Sequence, residues 1–360
     1  MAAVAARSPR GRETKTVWLR GYLEEGLPGP EHFEIVTSLC DISQVEEGDV
    51  AVEVRFMSVD PYLRGGMKKG RAPPGASADG RRVMEGFCAG VVIASKNVKF
   101  AVGDLFGGSM PFATRQVLSK ERAAGMWQLT GLVPESKLSY GVGVLGMPGS
   151  TAYAGIVGVL RPKKEGETIF ISAASGAVGS LAGQIAKNVF KLKTIGTAGG
   201  ADKCRLCEKS FNYDLCIDYR RSDTVDKLVK EIKSLDPAGI DMYFENVGGM
   251  QFDAAFQSLK PYGRIAICGS ISSYNDAKPV GNTLNLMQTT YTFQRIEGFM
   301  CGPWLQGKEG HFFRDMASWL EAGQVHNVEE TFYEGIEQWP VAFRSLFEAN
   351  NNRGKVVVRV

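Results

Sequence analysis

The residues with the clearest chemical meaning form a turn of small side chains, Ala174-x-Gly176-x-x-Gly179. The turn follows an apolar run at Thr168–Ser172 and precedes a helical pattern at Ala177–Asn188. In such a turn Gly176 lets a pyrophosphate approach the backbone, and Gly179 lets the helix pack closely on the strand. The strand before the turn and the helix after it favour dinucleotide binding over a tight turn without a ligand. The residues expected at the phosphates and the helix N-terminus are Ala174, Gly176, Ala177, Val178 and Gly179.

The residues after the next predicted strand decide between NADH and NADPH. An NAD-dependent enzyme usually places a carboxylate about 20 residues beyond the glycines, where it binds the ribose 2′-hydroxyl. This chain has small residues at 197–201, followed by Asp202 and Lys203. We assign Asp202 to a helix N-cap, and we expect Lys203 and Tyr219-Arg220-Arg221 to face a 2′-phosphate. The expected cofactor is therefore NADPH/NADP+.

Histidine and cysteine are too scattered in this sequence to predict a metal site. The histidines are His32, His311 and His326, and no Cys/His cluster lies in the N-terminal part of the chain. The Cys-x-x-Cys pair, Cys204 and Cys207, lacks a second pair of ligands, so we interpret the cysteines as reduced thiols. Without a metal electrophile, hydride is expected to reduce an activated C=C bond, because one hydroxyl donor can stabilise the developing enolate.

Composition and charge exclude several classes of protein. The 360 residues carry a net charge of +3, with 42 basic and 39 acidic side chains mixed along the chain. This balance predicts no nucleic-acid partner, and the absence of any apolar run of ~20 residues predicts no membrane span. The arginine-containing segment Met1–Arg12 is too short for a targeting sequence, so we interpret it as a frayed tail. We expect a soluble, cytoplasmic protein that acts on a small molecule.

Two patterns of predicted elements divide the chain. Short β-type runs fill the first third, at Thr16–Leu19, Phe33–Val36, Asp49–Val59 and Gly90–Ile93, which is typical of a barrel-like or sandwich-like unit. From about residue 147 onward strands alternate with helices, as in a parallel sheet covered on both faces. A strand at Lys355–Val360 cannot stand alone, so it is expected to return to the first sheet. The fold class is α/β, with predicted domains at 1–147 plus 325–360 and at 148–324.

Four longer motifs are specific enough to compare with known families. They are Ser58-Val59-Asp60-Pro61-Tyr62-Leu63-Arg64, Leu145–Tyr153, Glu245–Gly249 and Ile267–Asn275. Through them the chain resembles, from about Thr14 to Val360, the zinc-independent medium-chain dehydrogenase/reductases, in the branch of prostaglandin reductases and alkenal double-bond reductases. The resemblance implies a GroES-like catalytic domain, a Rossmann domain that binds NADPH, and a homodimer. The chain departs from the family at Ser150 and Arg81–Gly90, which border the expected pocket.

The resemblance also implies roles for single residues. It implies that Lys203 and Tyr219 bind the 2′-phosphate, and that Tyr274 lies near the nicotinamide and the substrate carbonyl. Tyr62 matches a catalytic-pocket tyrosine, although a tyrosine after Asp60-Pro61 can equally be a turn residue that packs its ring. The further residues implied along the cofactor are Asn246, Cys268, Gly269 and Asn352.

These observations favour NADPH-dependent reduction of the C=C bond of α,β-unsaturated ketones and aldehydes, with oxo-prostaglandin-like lipids among the candidate substrates. Two alternatives stay open: an NADPH quinone oxidoreductase, because a quinone also accepts hydride, and a non-catalytic NADPH-binding protein of the same fold. The segment 282–298 supports the expected homodimer, because Thr289–Phe293 has the β-propensity of an edge strand that can pair with a second copy.

Overall fold

The computed structural model describes residues 12–73, 76–278, 285–327, 329–348 and 352–360. The described residues form three β-sheets, of three, six and seven strands. The expected N-terminal tail lies outside the described residues, except for Arg12 at its end.

Sixteen strands make up the three sheets in the described part of the chain. They are β1 (Arg12–Leu19), β2 (Phe33–Cys40), β3 (Val50–Ser58), β4 (Arg82–Val83), β5 (Glu85–Ser95), β6 (Leu105–Pro111), β7 (Arg115–Leu118), β8 (Trp127–Gln128), β9 (Thr168–Ile171), β10 (Lys193–Ala198), β11 (Leu215–Asp218), β12 (Ile240–Glu245), β13 (Leu259–Ile267), β14 (Arg295–Gly298), β15 (Glu330–Glu334) and β16 (Lys355–Arg359).

Helices lie mainly in the second half of the chain. They are α1 (Leu63–Gly66), α2 (Lys120–Ala124), α3 (Met147–Tyr153), α4 (Ala177–Gln184), α5 (Ala201–Ser210), α6 (Val225–Ile232), α7 (Gly249–Ser258), α8 (Met287–Thr292), α9 (Gly302–Leu305), α10 (Phe312–Glu321) and α11 (Trp339–Ser345). Two of them continue with π-helical geometry, α3 through Ala154–Leu160 and α4 through Ile185–Val189. Of the described helices, none is by itself long and apolar enough to cross a membrane; the pair Glu135–Val142 and Met147–Leu160, bent by 57°, meets that test only when joined.

The two ends of the chain meet in the seven-stranded sheet. Its strands run in the order β15-β16-β3-β5-β6-β8, and β7 also pairs with β3. The last strand, β16, is antiparallel to β3, with Val357 opposite Ser58. The expectation that the terminal strand returns to the first sheet is therefore confirmed. A smaller sheet, ordered β2-β1-β4, completes this β-rich unit.

The six-stranded sheet is parallel throughout, in the order β11-β10-β9-β12-β13-β14. Its central strand β9 is entirely buried, because Ile169, Phe170 and Ile171 face helices on both sides of the sheet. This doubly wound α/β unit confirms the predicted fold class. The carboxyl ends of its strands, where ligands bind in open α/β sheets, face the β-rich unit.

A continuous apolar core joins the two units. One cluster of buried side chains contains Trp127 from the β-rich unit and Ile171 and Phe244 from the α/β unit, together with Val357 from the terminal strand. Apolar burial across the boundary contributes to holding the two sheets in one relative position. The loops at the boundary are therefore presented against each other at fixed places.

The edge-strand prediction for Thr289–Phe293 is wrong. Met287–Thr292 is the short helix α8, and the edge strand β14 begins only at Arg295. The hydroxyls of Thr289 and Thr292 donate to backbone carbonyls three and four residues earlier, at 2.6 Å each. These local bonds stabilise a helical turn, and such context overrides β-propensity. Residues 282–284 of the predicted segment lie outside the described residues.

Candidate active site

The small-residue turn lies at the carboxyl end of β9 and leads into α4. Ala173 has a positive φ of 51°, and the amide of Ala174 donates to Thr197 in β10 at 2.8 Å. Gly176 is the N-cap of α4 and provides no side-chain cap. A Cβ at Gly179 would lie 2.3 Å from the carbonyl oxygen of Ala173, so only glycine fits this approach. The first N–H groups of α4 are left to bind an anion, which fits a dinucleotide phosphate.

The carboxyl end of β10 has a second small-residue turn with cations around it. Gly200, at φ 106°, is the N-cap of α5, and its amide donates to Asp218 at 2.8 Å. The guanidinium of Arg220 lies against Gly199. Burial lowers the pKa of Lys203, and the charges of Arg220 and Arg353 lower it further. Several cations therefore surround the position predicted for a 2′-phosphate, which fits NADPH.

Asp202 does not have the role that the sequence suggested. The N-cap of α5 is Gly200, whereas Asp202 lies in the first turn of the helix and pairs with Arg205. Its carboxylate is thus directed to a neighbour on the same helix. The prediction of Asp202 as the cap is wrong because a glycine with positive φ bends the chain into the helix two residues earlier.

A buried carboxylate holds the loop that carries Asn246. Glu245 is 1 % exposed and accepts hydrogen bonds from the hydroxyls of Ser172 at 3.1 Å and Tyr243 at 2.5 Å. It also accepts the amides of Val247 and Gly248 in the following turn. Burial raises the pKa of Glu245 despite these donors. The carboxylate therefore fixes the shape of the loop after β12.

Asn246 is held beside the small-residue turn by the end of β9. Its backbone amide donates to the hydroxyl of Ser172 at 2.8 Å, and its side-chain Nδ2 donates to the Ser172 carbonyl at 2.7 Å. The ends of β9 and β12 are thus tied together by polar contacts. Asn246 is half-buried there, within the region that the sequence assigned to the cofactor.

Tyr274 folds back over the loop that follows β13. Its hydroxyl accepts the backbone amide of Ser270 at 3.2 Å. A Cβ at Gly269 would lie 2.6 Å from that hydroxyl, so a side chain there would displace the tyrosine. Burial raises the pKa of Tyr274 above its usual value of 10.0. The phenol is consequently neutral near pH 7, and it can still donate its own hydrogen.

Arg64 joins two of the four motifs across the boundary between the units. Its Nε donates to the side-chain oxygen of Asn275 at 3.1 Å, and its guanidinium also donates to the carbonyls of Leu23 and Gly26 at 2.8 and 3.3 Å. The arginine is fully buried. The amide of Gly26 in turn donates to the Asn275 carbonyl at 2.8 Å. Because Asn275 follows Tyr274, these bonds place Tyr274 at the cleft between the units.

Tyr62 lies on the β-rich side of the same boundary. The residue is 45 % exposed, yet burial around its hydroxyl raises its pKa well above the usual range, with Asp60 contributing next. Cys88 and Cys301 also lie close enough to affect it. An accessible ring with a desolvated hydroxyl fits a residue lining a cleft better than one packed in a turn. Tyr62 and Tyr274 thus approach the boundary from the two units.

A buried ion pair supports the Tyr62 loop. Lys355, at the start of β16, is 1 % exposed and lies 3.3 Å from Asp60. The lysine also donates to the carbonyl of Val59 at 2.8 Å, and Ser58 donates to Asp60 at 2.5 Å. Burial lowers the pKa of Lys355. The C-terminal strand therefore contributes directly to the position of the motif around Tyr62.

Cys268 and Asn352 are two further residues that the resemblance implied along the cofactor. Burial raises the pKa of Cys268 to about 12, so its thiol is protonated near neutral pH and suits lining the site rather than attacking a substrate. Asn352 donates from Nδ2 to the carbonyl of Ser345 at 3.0 Å and to its hydroxyl at 2.7 Å. The amide of Gly354, two residues on, donates to Ser175 in the small-residue turn at 3.1 Å.

Sequence reasoning assigned no role to three side chains that the structure brings to this region. They are Arg64, Arg353 and Lys355. Arg64 stands in the same motif as Tyr62, and the other two lie within three residues of Asn352, so proximity along the sequence was the available signal. Two of their partners, Asn275 of Arg64 and Val59 of Lys355, lie more than two hundred residues away in the chain, which no local pattern reveals. In the described residues, no group of three or more His, Cys, Asp or Glu side chains could hold a metal ion.

Comparison with known protein families matches two models to the chain. The model described as zinc-binding dehydrogenase matches residues 177–321, and the model described as N-terminal domain of oxidoreductase matches residues 15–126. The two matches together cover most of both structural units.

Three curated proteins are similar over almost their whole length. The NADPH-dependent curcumin reductase of Escherichia coli is 35 % identical over 95 % of this chain and 96 % of its own. The 2-alkenal reductase (NADP+-dependent) of Nicotiana tabacum is 36 % identical over 96 % and 97 %, and prostaglandin reductase 1 of Sus scrofa is 34 % identical over 93 % and 95 %.

Solved structures agree with these sequence matches. CurA from Vibrio vulnificus superimposes with a TM-score of 0.82 at 33 % identity, covering 96 % of this chain and 98 % of its own. CurA in complex with NADPH gives a TM-score of 0.80, also at 33 % identity, covering 96 % and 99 %.

Proposed function

The chain belongs to the zinc-independent medium-chain dehydrogenase/reductases, and we propose that it reduces the C=C bond of α,β-unsaturated ketones and aldehydes with NADPH. One observation carries the proposal: a neutral, half-buried phenol, Tyr274, is anchored at the cleft between the two units, beside a phosphate-binding turn. The named activities of the curcumin, alkenal and prostaglandin reductases support the same reaction for this chain.

We assign the cofactor to the carboxyl edge of the six-stranded sheet. The turn from Ala174 to Gly179 would bind its pyrophosphate, and Lys203 with Tyr219 would bind its 2′-phosphate. The residues that would line the remainder of the cofactor are Asn246, Cys268, Gly269 and Asn352. When bound, NADPH supplies the hydride that the β-carbon of the substrate accepts.

Tyr274 would stabilise the charge that develops on the substrate carbonyl oxygen. Its hydroxyl accepts the Ser270 amide, so the phenolic hydrogen remains available to an oxyanion. A preorganised donor of this kind typically contributes about 2.7–4 kcal/mol to the transition state. The α-carbon then takes its proton from solvent or from the tyrosine. Tyr62, across the cleft, would orient the substrate.

The catalytic domain in this proposal comprises residues 1–147 and 325–360, and the NADPH-binding domain comprises residues 148–324. The return of β16 to the sheet of β3 supports this division. The site would then lie between the domains, closed on one side by Arg64 and Asn275. We further propose that the protein acts in the cytoplasm on a small-molecule enone or enal.

A substrate panel tests the reaction. Purified protein is incubated with NADPH and, in turn, with enals, enones, oxo-prostaglandin-like lipids and quinones, and oxidation of NADPH is followed by its absorbance. Turnover of enals and enones is expected, with the saturated carbonyl compound as product. Turnover of quinones alone would replace the proposal with a quinone oxidoreductase, and turnover of none would favour a non-catalytic NADPH-binding protein.

We also propose a homodimer formed through the edge of the six-stranded sheet. Strand β14 pairs only with β13 among the described strands, so its outer edge is open. Large apolar side chains are exposed beside it: Tyr291 is 75 % and Phe293 65 % exposed, and the Phe293 ring stacks on Tyr262 at 5.0 Å. An apolar patch next to an unpaired edge suits pairing with a second copy.

Light scattering during size-exclusion chromatography tests the dimer. The wild-type protein is expected at twice the mass of one chain, and Tyr291→Asp is expected to shift it toward a single chain without loss of folded structure. The matched control is Tyr262→Phe, which keeps the apolar ring. A wild-type mass of one chain at micromolar concentration would reject the proposal.

A further inference from the structure

The segment that leads into the last strand touches the phosphate-binding turn of the other unit. The amide of Gly354 donates to the carbonyl of Ser175 at 3.1 Å, and Gly354 forms a parallel β-bridge with Gly176. From Lys355 onward the same segment is β16 of the seven-stranded sheet. The residue just before Gly354 is Arg353, so the contact at Gly354 places Arg353 beside the phosphate end of the cleft.

The backbone at Gly354 leaves little freedom for the position of Arg353. Gly354 has a φ of 60°, and a Cβ there would lie 1.8 Å from the carbonyl oxygen of Glu329. The amide of Lys355 donates to that same carbonyl at 2.8 Å. The backbone at Gly354 therefore contacts Glu329 on one side and Ser175 on the other. Arg353 projects from a fixed backbone rather than from a free tail.

Arg353 has one ion-pair partner in the described residues, and the pair is weak. Its Nη1 lies 3.8 Å from Oε1 of Glu329, and the two side chains are 49 % and 45 % exposed. Exposed pairs at such separation add little to stability. A guanidinium held this loosely can exchange its carboxylate for a phosphate, which it can bind through two parallel hydrogen bonds.

Arg353 is also one of three cations that converge from separate segments. Lys203 comes from α5, Arg220 follows β11, and Arg353 precedes β16; the charges of both arginines act on Lys203. Like charges brought together repel one another unless an anion lies among them. The convergence lies beside the N-terminus of α5 and the turn at Gly176, where a phosphate of the cofactor is expected.

We propose that Arg353 binds a phosphate group at the adenosine end of the cofactor, exchanging Glu329 for that phosphate when the cofactor enters. This inference rests on the proposed use of NADPH. The phosphate is either the 2′-phosphate, beside Lys203, or the pyrophosphate, beside Gly176. In both cases the catalytic domain contributes a cofactor ligand, so cofactor binding strengthens the contact between the two domains.

Titration calorimetry with NADPH and NADH on the full-length protein tests the proposal. Arg353→Gln is expected to weaken NADPH binding about tenfold, the effect of losing one charge-assisted contact. Glu329→Gln is expected to tighten NADPH binding a few-fold, because it removes the competing carboxylate. Weakening of NADPH alone identifies the 2′-phosphate, and equal weakening of NADPH and NADH identifies the pyrophosphate.

The matched control is Arg359→Gln, on the strand that Arg353 precedes. Arg359 pairs with Glu334 at 2.9 Å and is 48 % exposed, like Arg353, but it lies at the far end of β16. Its variant should bind both cofactors as the wild-type protein does. Unchanged NADPH affinity in Arg353→Gln would overturn the inference. Failure of the wild-type protein to bind NADPH would instead overturn the proposed function.

Discussion

The two ends of the cleft are built in different ways. At the phosphate end, the turn from Ala174 to Gly179 consists of consecutive residues that lead into α4, whose first N–H groups we propose as the phosphate ligands. At the substrate end, Tyr274 and Tyr62 come from different units and reach the same boundary through Arg64 and Lys355. The first end depends on local conformation, and the second depends on buried polar contacts between distant segments.

This difference predicts different consequences of substitution. At the phosphate end the charges are partly accessible to solvent, so removal of one contact should change cofactor affinity and leave the fold intact. At the substrate end the supporting side chains Arg64 and Lys355 are buried, so removal of one leaves its partners without their donor. Substitutions there should change turnover and stability together, except where the hydroxyl of a tyrosine alone is removed.

The largest expected effect is on turnover in Tyr274→Phe. Loss of the hydroxyl removes the donor to the developing enolate, so kcat for an enone should fall ~10²–10³-fold, or about 2.7–4 kcal/mol. NADPH affinity should stay nearly constant, because the ring still packs. Steady-state kinetics and calorimetry measure the two quantities. Tyr62→Phe, on the opposite wall, is expected to lower kcat/KM by only about tenfold. A kcat of Tyr274→Phe equal to that of the wild-type protein would contradict the proposed mechanism.

The second-largest effect is expected on the stability of the Arg64→Met variant. The substitution leaves the carbonyls of Leu23 and Gly26 and the Asn275 side chain without their buried donor. The free energy of unfolding should fall by about 3 kcal/mol, and kcat should fall as well, because the Tyr274 loop loses its anchor. Urea unfolding followed by tryptophan fluorescence measures the first change.

Arg122→Met is the control for Arg64→Met. Arg122 pairs with Glu85 at 2.9 Å on the surface of the same unit, with 46 % of its side chain exposed. Its replacement should cost less than about 1 kcal/mol. Equal losses of unfolding free energy in the two variants would show that the buried contacts of Arg64 stabilise the fold no more than a surface ion pair does.

A smaller effect is expected at the phosphate end, in Lys203→Ala. The KM for NADPH should rise about tenfold or more, the typical result of losing ~1.5–3 kcal/mol of charge-assisted contact, while the KM for NADH stays unchanged. Unfolding by urea should be little affected. Arg205→Ala is the control, because Arg205 is on the same helix but pairs with Asp202. An unchanged NADPH KM in Lys203→Ala would contradict the assignment of the 2′-phosphate.

The smallest effect is the dependence of turnover on pH. The pKa of Tyr274 is raised above its usual value of 10.0 by burial, so the protonated, donating form persists to higher pH than in a free tyrosine. Turnover should therefore stay constant up to about pH 10 and fall only above it. Tyr274→Phe should lack this alkaline limb. A fall that begins well below pH 10 would indicate that another group controls the reaction.

Errors in the sequence-based predictions occurred where alternatives were close in energy. Thr289–Phe293 has residues suited to a strand, yet threonine hydroxyls that bond to earlier carbonyls stabilise α8 instead. Asp202 has the side chain of an N-cap, yet Gly200 begins the helix. Local propensity differs by only fractions of a kcal/mol between such choices, so single local contacts and one glycine decided both.

The α/β class, the parallel strands and the phosphate turn could be predicted from the sequence. Each of these rests on short-range rules: apolar runs form buried strands, and glycines allow close approach of backbone segments. The three-dimensional structure decided which distant side chains meet. Arg64 with Asn275, Lys355 with Asp60 and Gly354 with Ser175 join segments far apart in the chain. Such contacts depend on how the two sheets pack, because their geometry arises only after the apolar core has formed.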